Sequence, residues 1–249
     1  MNELAIDIRG LHHTYPDGTS ALRGVDLQVP RGAKAALVGR NGAGKSTLIL
    51  HLNGILRGQG NLRVLGQLLA PATLKSLRHK VGLVFQNPDD QLFALRVLDD
   101  VAFGPLNQDL PPQEAESRAR QALGQVEMAD AADRSPHHLS YGERRRVCIA
   151  GVLAMRPEIL ALDEPTANLD PQSRRGLISL LQSLPVTQLI ASHDLEMVLE
   201  VCDTAFLMDQ GKVLAAGPPR QLFANADLLL AHGLEPPLSL RLGTPPRVW

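Results

Sequence analysis

The chain has 249 residues, 44% of them hydrophobic, enough apolar side-chain volume for one large domain or two small ones. Lys and Arg total 25 against 26 Asp and Glu, and the formal net charge of -1 gives no electrostatic case for nucleic acid as a main partner. The two cysteines, Cys148 and Cys202, sit in neither a paired nor a metal-like spacing and read as buried thiols of a reducing compartment.

The opening MNELAIDIRG alternates like a strand and lacks the charged-then-apolar order of an export signal. No apolar run reaches the length of a membrane span. The chain is therefore expected in the cytosol, serving a membrane only through a partner. Residues 4–9 and 25–29 read as strands parted by the turn signal Pro16-Asp17-Gly18. KAALV (34–38) is a buried strand ending at Gly39, and a helix follows from about Lys45 to Leu56. VGLVF (81–85), ILALD (159–163) and TQLIA (187–191) read as central strands with little polar content. Short apolar runs alternating with helical stretches imply an α/β fold with a largely parallel sheet and crossover helices. Residues 88–157 turn more charged and helical, as in PPQEAESRARQALGQV, and read as a helical insertion between two halves of that core. From Gly217 the tail is rich in proline and leucine and is expected to add two short helices. There is no internal repeat and no low-complexity tract.

Residues 39–46, GRNGAGKS, fit the phosphate-loop spacing G-x-x-x-x-G-K-[ST], between a strand and a helix as that motif requires. Glycines let the backbone turn tightly and aim its N–H groups at phosphate oxygens, and the helix N-terminus adds a favourable dipole. Gly39, Arg40, Asn41, Gly42, Ala43, Gly44 and Thr47 are thus expected around a nucleotide. Lys45 would pair with the β- and γ-phosphates and Ser46 would ligate Mg²⁺. The plain alternative is an ordinary Gly-rich turn, which the strand–loop–helix context disfavours. ILALDE (159–164) is an apolar strand ending in two acids. Alone it could be a strand end meeting solvent. Downstream of a phosphate loop, Asp163 suits the carboxylate behind Mg²⁺, and Glu164 the group that orients or deprotonates water.

LSYGERRRV (139–147) decides the family. The chain here resembles the nucleotide-binding subunit of an ABC transporter, whose signature reads LSGGQ. It departs at Tyr141, in place of the first glycine, and at Glu143, in place of glutamine. The resemblance implies that the signature, Leu139, Ser140, Tyr141, Gly142 and Glu143, faces the ATP bound by the opposite subunit, with Ser140 and Gly142 on its γ-phosphate. It implies further that Gln86 completes Mg²⁺ coordination and senses the γ-phosphate. Asp170, in ANLD, would cross a dimer interface, and His193, 29 positions beyond Glu164, would hold the γ-phosphate and attacking water. Tyr15 would stack on adenine. The implied fold is an α/β ABC-type P-loop nucleotide-binding domain with an antiparallel β subdomain and a helical subdomain. It would span residues 1–249 as one domain, with the helical subdomain at about 88–157 and a C-terminal extension at about 217–249.

The stretch FQNPDDQLF (85–93) then acquires a place. In ABC subunits the segment after this glutamine borders a groove that receives a coupling helix from the membrane component, so Leu92 and Phe93 would be exposed anchors for it. The wording resembles the ATPases of energy-coupling-factor importers, as do YPDG, LHLNGIL, LSYGE with IAGVLAM, and LF…LLLAHGLEPP. Within that group it resembles the cobalt/nickel type, with a vitamin importer as the alternative. The cofactors implied are ATP and Mg²⁺. The partners implied are a second ATP-binding subunit, with a homodimer able to form two sites and a heterodimer left open, and an integral membrane transport component. Neither nucleic acid nor the transported solute would touch this subunit, which would sit peripherally on the cytoplasmic face of the cell membrane.

A DNA-repair ABC ATPase would carry long coiled coils between phosphate loop and signature, whereas Leu139 lies only 94 positions beyond Lys45, without sustained heptads. A soluble ABC ATPase unlinked to transport stays open. His12-His13 and His137-His138 lack a third ligand nearby in sequence and read as structural. Arg144–Arg146 reads as a solvated or interface run, with Arg146 matching the family's arginine.

Overall fold

The first two strands set up a small antiparallel sheet in the computed structural model, which describes residues 3–242. β1 (Leu4–Thr14) and β2 (Ser20–Pro30) form a hairpin, and β4 (Gln59–Val64) and β5 (Gln67–Leu68) complete the order β2-β1-β4-β5. The hairpin strands are longer than the sequence signals because bulges at positive-φ Gly10 and Gly24 interrupt the alternation while the pairing runs on.

The second sheet has six strands in the order β10-β9-β3-β8-β7-β6. These are β3 (Lys34–Val38), β6 (Val81–Val84), β7 (Ile159–Asp163), β8 (Thr187–Ser192), β9 (Thr204–Asp209) and β10 (Lys212–Gly217). All neighbours are parallel except the edge strand β10. Both faces are covered, so the central strands are apolar throughout. Ala35 and Leu37 of β3 face a core shared with the antiparallel sheet and α1 (Lys45–Leu52), while Ala36 and Val38 face the helices on the other side.

The connection from β6 to its parallel neighbour β7 carries α3 (Val97–Asn107), α4 (Pro112–Gln125) and α5 (Tyr141–Leu153). In α4 the buried positions are Ala115, Ala119, Ala122 and Leu123, one helical stripe, and the outer face carries the pairs Glu114–Arg118 and Glu116–Arg120. The remaining helices are α2 (Leu74–Lys80), α6 (Pro171–Ser183), α7 (Leu195–Val201), α8 (Pro219–Ala224), α9 (Ala226–Ala231) and α10 (Leu238–Arg241).

Two details differ from expectation. α1 stops at Leu52 rather than running to Leu56. Gly54, at φ 67°, closes it: the Gly54 and Ile55 N–H groups cap the His51 and Leu50 carbonyls. The tail holds three short helices rather than two, because Pro237 starts a further turn; residues 243–249 of the expected extension lie outside the described residues.

Register brings the chemistry together. Val38 pairs with Ser192, Asp163 with Ala191, and Val84 with Leu162. The carboxyl ends of four parallel strands therefore lie side by side, and the loops that follow them open on one mouth, where α/β sheets bind ligands.

Candidate functional site

The loop after β3 is shaped by close approach. A Cβ at Gly44 would lie 2.7 Å from the Ala21 carbonyl, and Gly44 caps α1 at φ 103°, a conformation that favours glycine. A Cβ at Gly39 would lie 2.2 Å from the Met208 carbonyl. The glycines thus press the loop against β2 and β9 and aim the N-terminus of α1 outward. The Lys45 side chain is 5% exposed and donates to the Gly39 and Arg40 carbonyls at 2.8 and 3.2 Å. Its ammonium is held over the loop, at the place a phosphate would take on the helix N-terminus.

Tyr15, Asn41, Gly42, Lys45, Ser46, Thr47, Gln86, Glu164 and His193 line one cleft of about 410 Å³. Tyr15 reaches it from the end of β1, and its hydroxyl bonds the Thr47 hydroxyl at 3.0 Å. Its ring stands edge-on to His13, which is in turn edge-on to the buried His51. The sequence stretches 15, 39–47, 86, 163–164 and 193 thus converge.

Asp163 ends β7 and hydrogen-bonds Ser46; burial, helped by the neighbouring Glu164 charge, pushes its carboxyl above the usual range. Glu164 adopts φ 44°, held there by its N–H to the Ala191 carbonyl at 2.8 Å. A left-handed non-glycine residue is strained backbone, and here the strain turns the carboxylate toward Lys45 and His193. His193 Nδ1 lies 2.8 Å from Glu164 Oε2, and Lys45 Nζ lies 3.6 Å from Oε1. Asp163 Oδ1 and Glu164 Oε1 are buried oxygens with no hydrogen-bond partner among the described residues. Unsatisfied carboxylate oxygens beside a serine hydroxyl, with the Gln86 amide in the same cleft, form a donor set that fits Mg²⁺, a hard cation with oxygen ligands.

The signature lies elsewhere. None of Leu139, Ser140, Tyr141, Gly142 or Glu143 lines the cleft. Ser140 and Glu143 form a capping box at the start of α5, with the Glu143 carboxylate accepting from the Ser140 N–H at 2.7 Å. Glutamate in place of glutamine keeps that bond and adds a negative charge at a helix N-terminus, where it is favoured. Leu139 is buried, and Gly142 sits against Ser173, whose hydroxyl a Cβ would meet at 2.7 Å. Asp170 is exposed and caps α6 through the Gln172 and Ser173 N–H groups.

Two expectations change. Leu92 and Phe93 are not equivalent: Leu92 is half-buried against the helical core, and of the two only Phe93, 67% exposed, is open to a partner. Its ring packs edge-on against Phe103 of α3, centroids 4.8 Å apart, in an apolar groove of about 470 Å³ that Met155 also lines. Phe103 went unread because the period of α3 alone does not say which side a partner covers. The arginine run is not solvated throughout, since Arg145 is fully buried and Arg146 bonds the Val126 carbonyl and Glu127. Gln91 is a brace, bonding the Phe85 N–H and the Cys148 carbonyl. Both cysteines are buried as expected, which pushes their thiols up to about 12. His13 bonds the Arg57 carbonyl through Nδ1, and no group of three or more His, Cys, Asp or Glu is gathered to hold a metal among the described residues. No helix among those residues is long and apolar enough to cross a membrane.

Comparison with known proteins agrees with this geometry. Residues 22–167 match the family model described as ABC transporter. A putative ABC transporter ATP-binding protein of Geobacter sulfurreducens is 50% identical over 97% of this chain and 97% of its own. An energy-coupling factor transporter ATP-binding protein, EcfA, of Methanothermobacter thermautotrophicus is 47% identical over 93% of this chain and 76% of its own. Among solved structures, cbiO1 of Clostridium perfringens, part of the ABC transporter complex cbiONQ, superposes with a TM-score of 0.82 at 37% identity over 97% of both chains. The ATP-binding cassette MJ0796, a dimer bound to ADP and Pi, superposes with a TM-score of 0.79 at 25% identity over 86% of this chain and 98% of its own. The likeness to energy-coupling-factor cassettes read from FQNPDDQLF extends over the whole fold. A match across the phosphate loop, both acids and the signature, with relatives half identical over nearly the full length, settles the affiliation: the chain belongs to the ABC transporter family, as one of its ATP-hydrolysing, transport-coupled cassettes.

Proposed function

We propose that this chain is the ATPase subunit of an energy-coupling-factor importer, acting as a homodimer on the cytoplasmic face beneath an integral membrane component. The observation that carries the reading is a half-complete cleft. Tyr15, the phosphate loop, Gln86, Glu164 and His193 gather around one nucleotide-sized space, and no signature residue lines it. A second copy's signature would close that space and present Ser140 and Gly142 to the γ-phosphate.

In this reading the α1 N-terminus and the Lys45 ammonium take the β- and γ-phosphates, and Tyr15 stacks on the base. Mg²⁺ would be held by Ser46 and Gln86 with Asp163 behind, and when bound it neutralises charge on the β- and γ-oxygens. Glu164 orients the attacking water and accepts its proton. His193 is bonded to Glu164 through Nδ1 and would turn away to hold the γ-phosphate, which leaves Oε2 the Ser192 hydroxyl and the His193 N–H and opens it to the water. Asp170 lies where a second copy would meet α6. Phe93 and Phe103 receive the membrane component's helix in their groove, with Leu92 packed beneath.

For the cargo we favour cobalt or nickel, on the wording shared with that group of importers; a vitamin is the alternative. The test is reconstitution with the membrane components of an energy-coupling-factor importer. ATP-driven uptake of Co²⁺ or Ni²⁺ into vesicles is the expected outcome. Uptake of a vitamin instead would change the cargo and keep the subunit's role. ATP hydrolysis with no membrane component retained would sink the importer reading.

A further inference from the structure

Arg145 poses an energetic question. It has no exposed surface, and among the described residues no carboxylate lies within ion-pair distance of it. Burying a guanidinium without a counter-ion is costly, and its Nε finds no hydrogen-bond partner among the described residues. Its terminal nitrogens are spent on main-chain oxygens, donating to the Phe85 and Gln86 carbonyls. Tyr141 completes the arrangement. Its hydroxyl donates to the same Gln86 carbonyl at 3.2 Å, accepts from Arg145 at 3.1 Å, and its ring lies 5.7 Å from the guanidinium carbon. Tyr141 stands where the family's signature carries glycine, a residue that could make none of these contacts.

We propose that Tyr141 and Arg145 are a positioning pair that locks the Gln86 main chain to the signature helix. This rests on the reading of Gln86 as a nucleotide-facing residue. Gln86 follows β6 in an exposed loop, where its side chain would otherwise be free to wander. Two side chains one turn apart on α5 pin its carbonyl, so the glutamine that meets this chain's own nucleotide and the signature that meets the partner's move as one body. A buried cation bonded to two successive carbonyls fixes orientation as well as distance, since the guanidinium fork is planar. Neither side chain lines this chain's own nucleotide cleft, and the pair acts on that cleft through Gln86.

The test uses the full chain. Tyr141→Phe keeps the ring over Arg145 and removes only the hydroxyl. Losing one hydrogen bond of this kind is expected to lower kcat by about 3- to 10-fold. KM for ATP should change less than about twofold, because the phosphate loop is untouched. Hydrogen exchange over residues 85–87 should quicken, with the thermal midpoint nearly unchanged. Arg145→Lys, which keeps the charge but cannot span both carbonyls, should shift exchange in the same direction. In a Gln86→Ala background, which keeps the carbonyl but lacks the amide, Tyr141→Phe should cost nothing further in kcat. Unchanged exchange at 85–87, or an equal kcat loss in both backgrounds, overturns the proposal and leaves the functional reading standing. A Gln86→Ala variant as active as the unaltered chain overturns the reading of Gln86, and this proposal with it.

Discussion

At the residue scale the decisive group is Glu164. It is buried, strained in φ, and in contact with His193 and Lys45, so its carboxylate is both fixed and aimed. Glu164→Gln keeps the shape and packing and removes the basic oxygen. ATP turnover should fall by about 10²–10⁴, the usual cost of losing a positioned base. Binding should survive, because Lys45 and the α1 N-terminus are unaltered, and an ATP-bound dimer should accumulate on size-exclusion chromatography. Near-normal turnover would remove Glu164 from the water-orienting role. Residues of this kind were readable because their chemistry is tied to short spacings: a phosphate loop, an apolar strand ending in two acids, a histidine at the next strand's end. Arg145 was not readable. A run of three arginines looks solvated on paper, and only the packing of α5 against the β6 loop shows that the middle one points inward.

At the element scale two contacts matter. The first ties α6 to α7 beside His193. Asp194 caps α7 by accepting from the Met197 N–H, takes both Arg174 bonds at 2.8 and 3.0 Å, and accepts the Thr166 hydroxyl. Burial alone would raise its pKa, but these hydrogen bonds outweigh burial and hold the carboxyl below its usual value. Asp194→Ala should cost roughly 2–3 kcal/mol, at or just below the low end for breaking a buried pair because both side chains keep some exposure. For a chain of this size that lowers the thermal midpoint by about 5–10 °C. A depressed folded-state pKa means that the stabilisation is present above the unfolded value, 3.8, and is lost as pH falls through the lower folded value. The gap between the two proteins should therefore hold at neutral pH and close only in strong acid; a gap already closed at pH 5 would contradict the assignment. The second contact is the Phe93–Phe103 pair. Phe93→Asp removes an edge-on aromatic contact worth about 1 kcal/mol, so the fold should persist, and hydrolysis by the subunit alone should change little. Capture of the membrane component should fall sharply, since a lone charge would enter an apolar contact. Undiminished capture by a folded variant would sink the docking role. β3, β6, β7 and β8 were legible because strands buried on both faces are continuous apolar runs, whereas β9, with AFLM between polar ends, went unread. β4 and β5 were not legible, being mostly exposed and polar, and the end of α1 was overrun because LHLNGIL stays apolar past the glycine that stops the helix.

At the scale of the whole molecule, the fold separates the two halves of its own machinery. The strand ends of the six-stranded sheet carry the nucleotide cleft, while the signature rides on α5, in the long connection between β6 and β7. A chain built this way cannot close its own site unless the signature travels to the cleft, and Arg145 and Tyr141 hold α5 to the loop that leaves β6. Two copies related by a twofold axis solve the problem with no such movement, because an isologous pair offers each cleft the other's signature. Complementation tests this directly. Lys45→Ala disables the phosphate loop. Ser140→Asp disables the signature by setting a negative charge toward the γ-phosphate, yet aspartate caps a helix as well as serine does, so α5 should stay intact. Each variant alone should be inactive. In a mixed dimer the intact phosphate loop of the Ser140→Asp chain meets the intact signature of the Lys45→Ala chain, while the other site carries both lesions. Random pairing then makes half the dimers mixed, each with one good site, so an equimolar mixture should recover about a quarter of the unaltered activity. If differently tagged copies co-purify as mixed dimers and no activity returns at any ratio, each chain must work on its own nucleotide with its own signature, and the shared site is wrong.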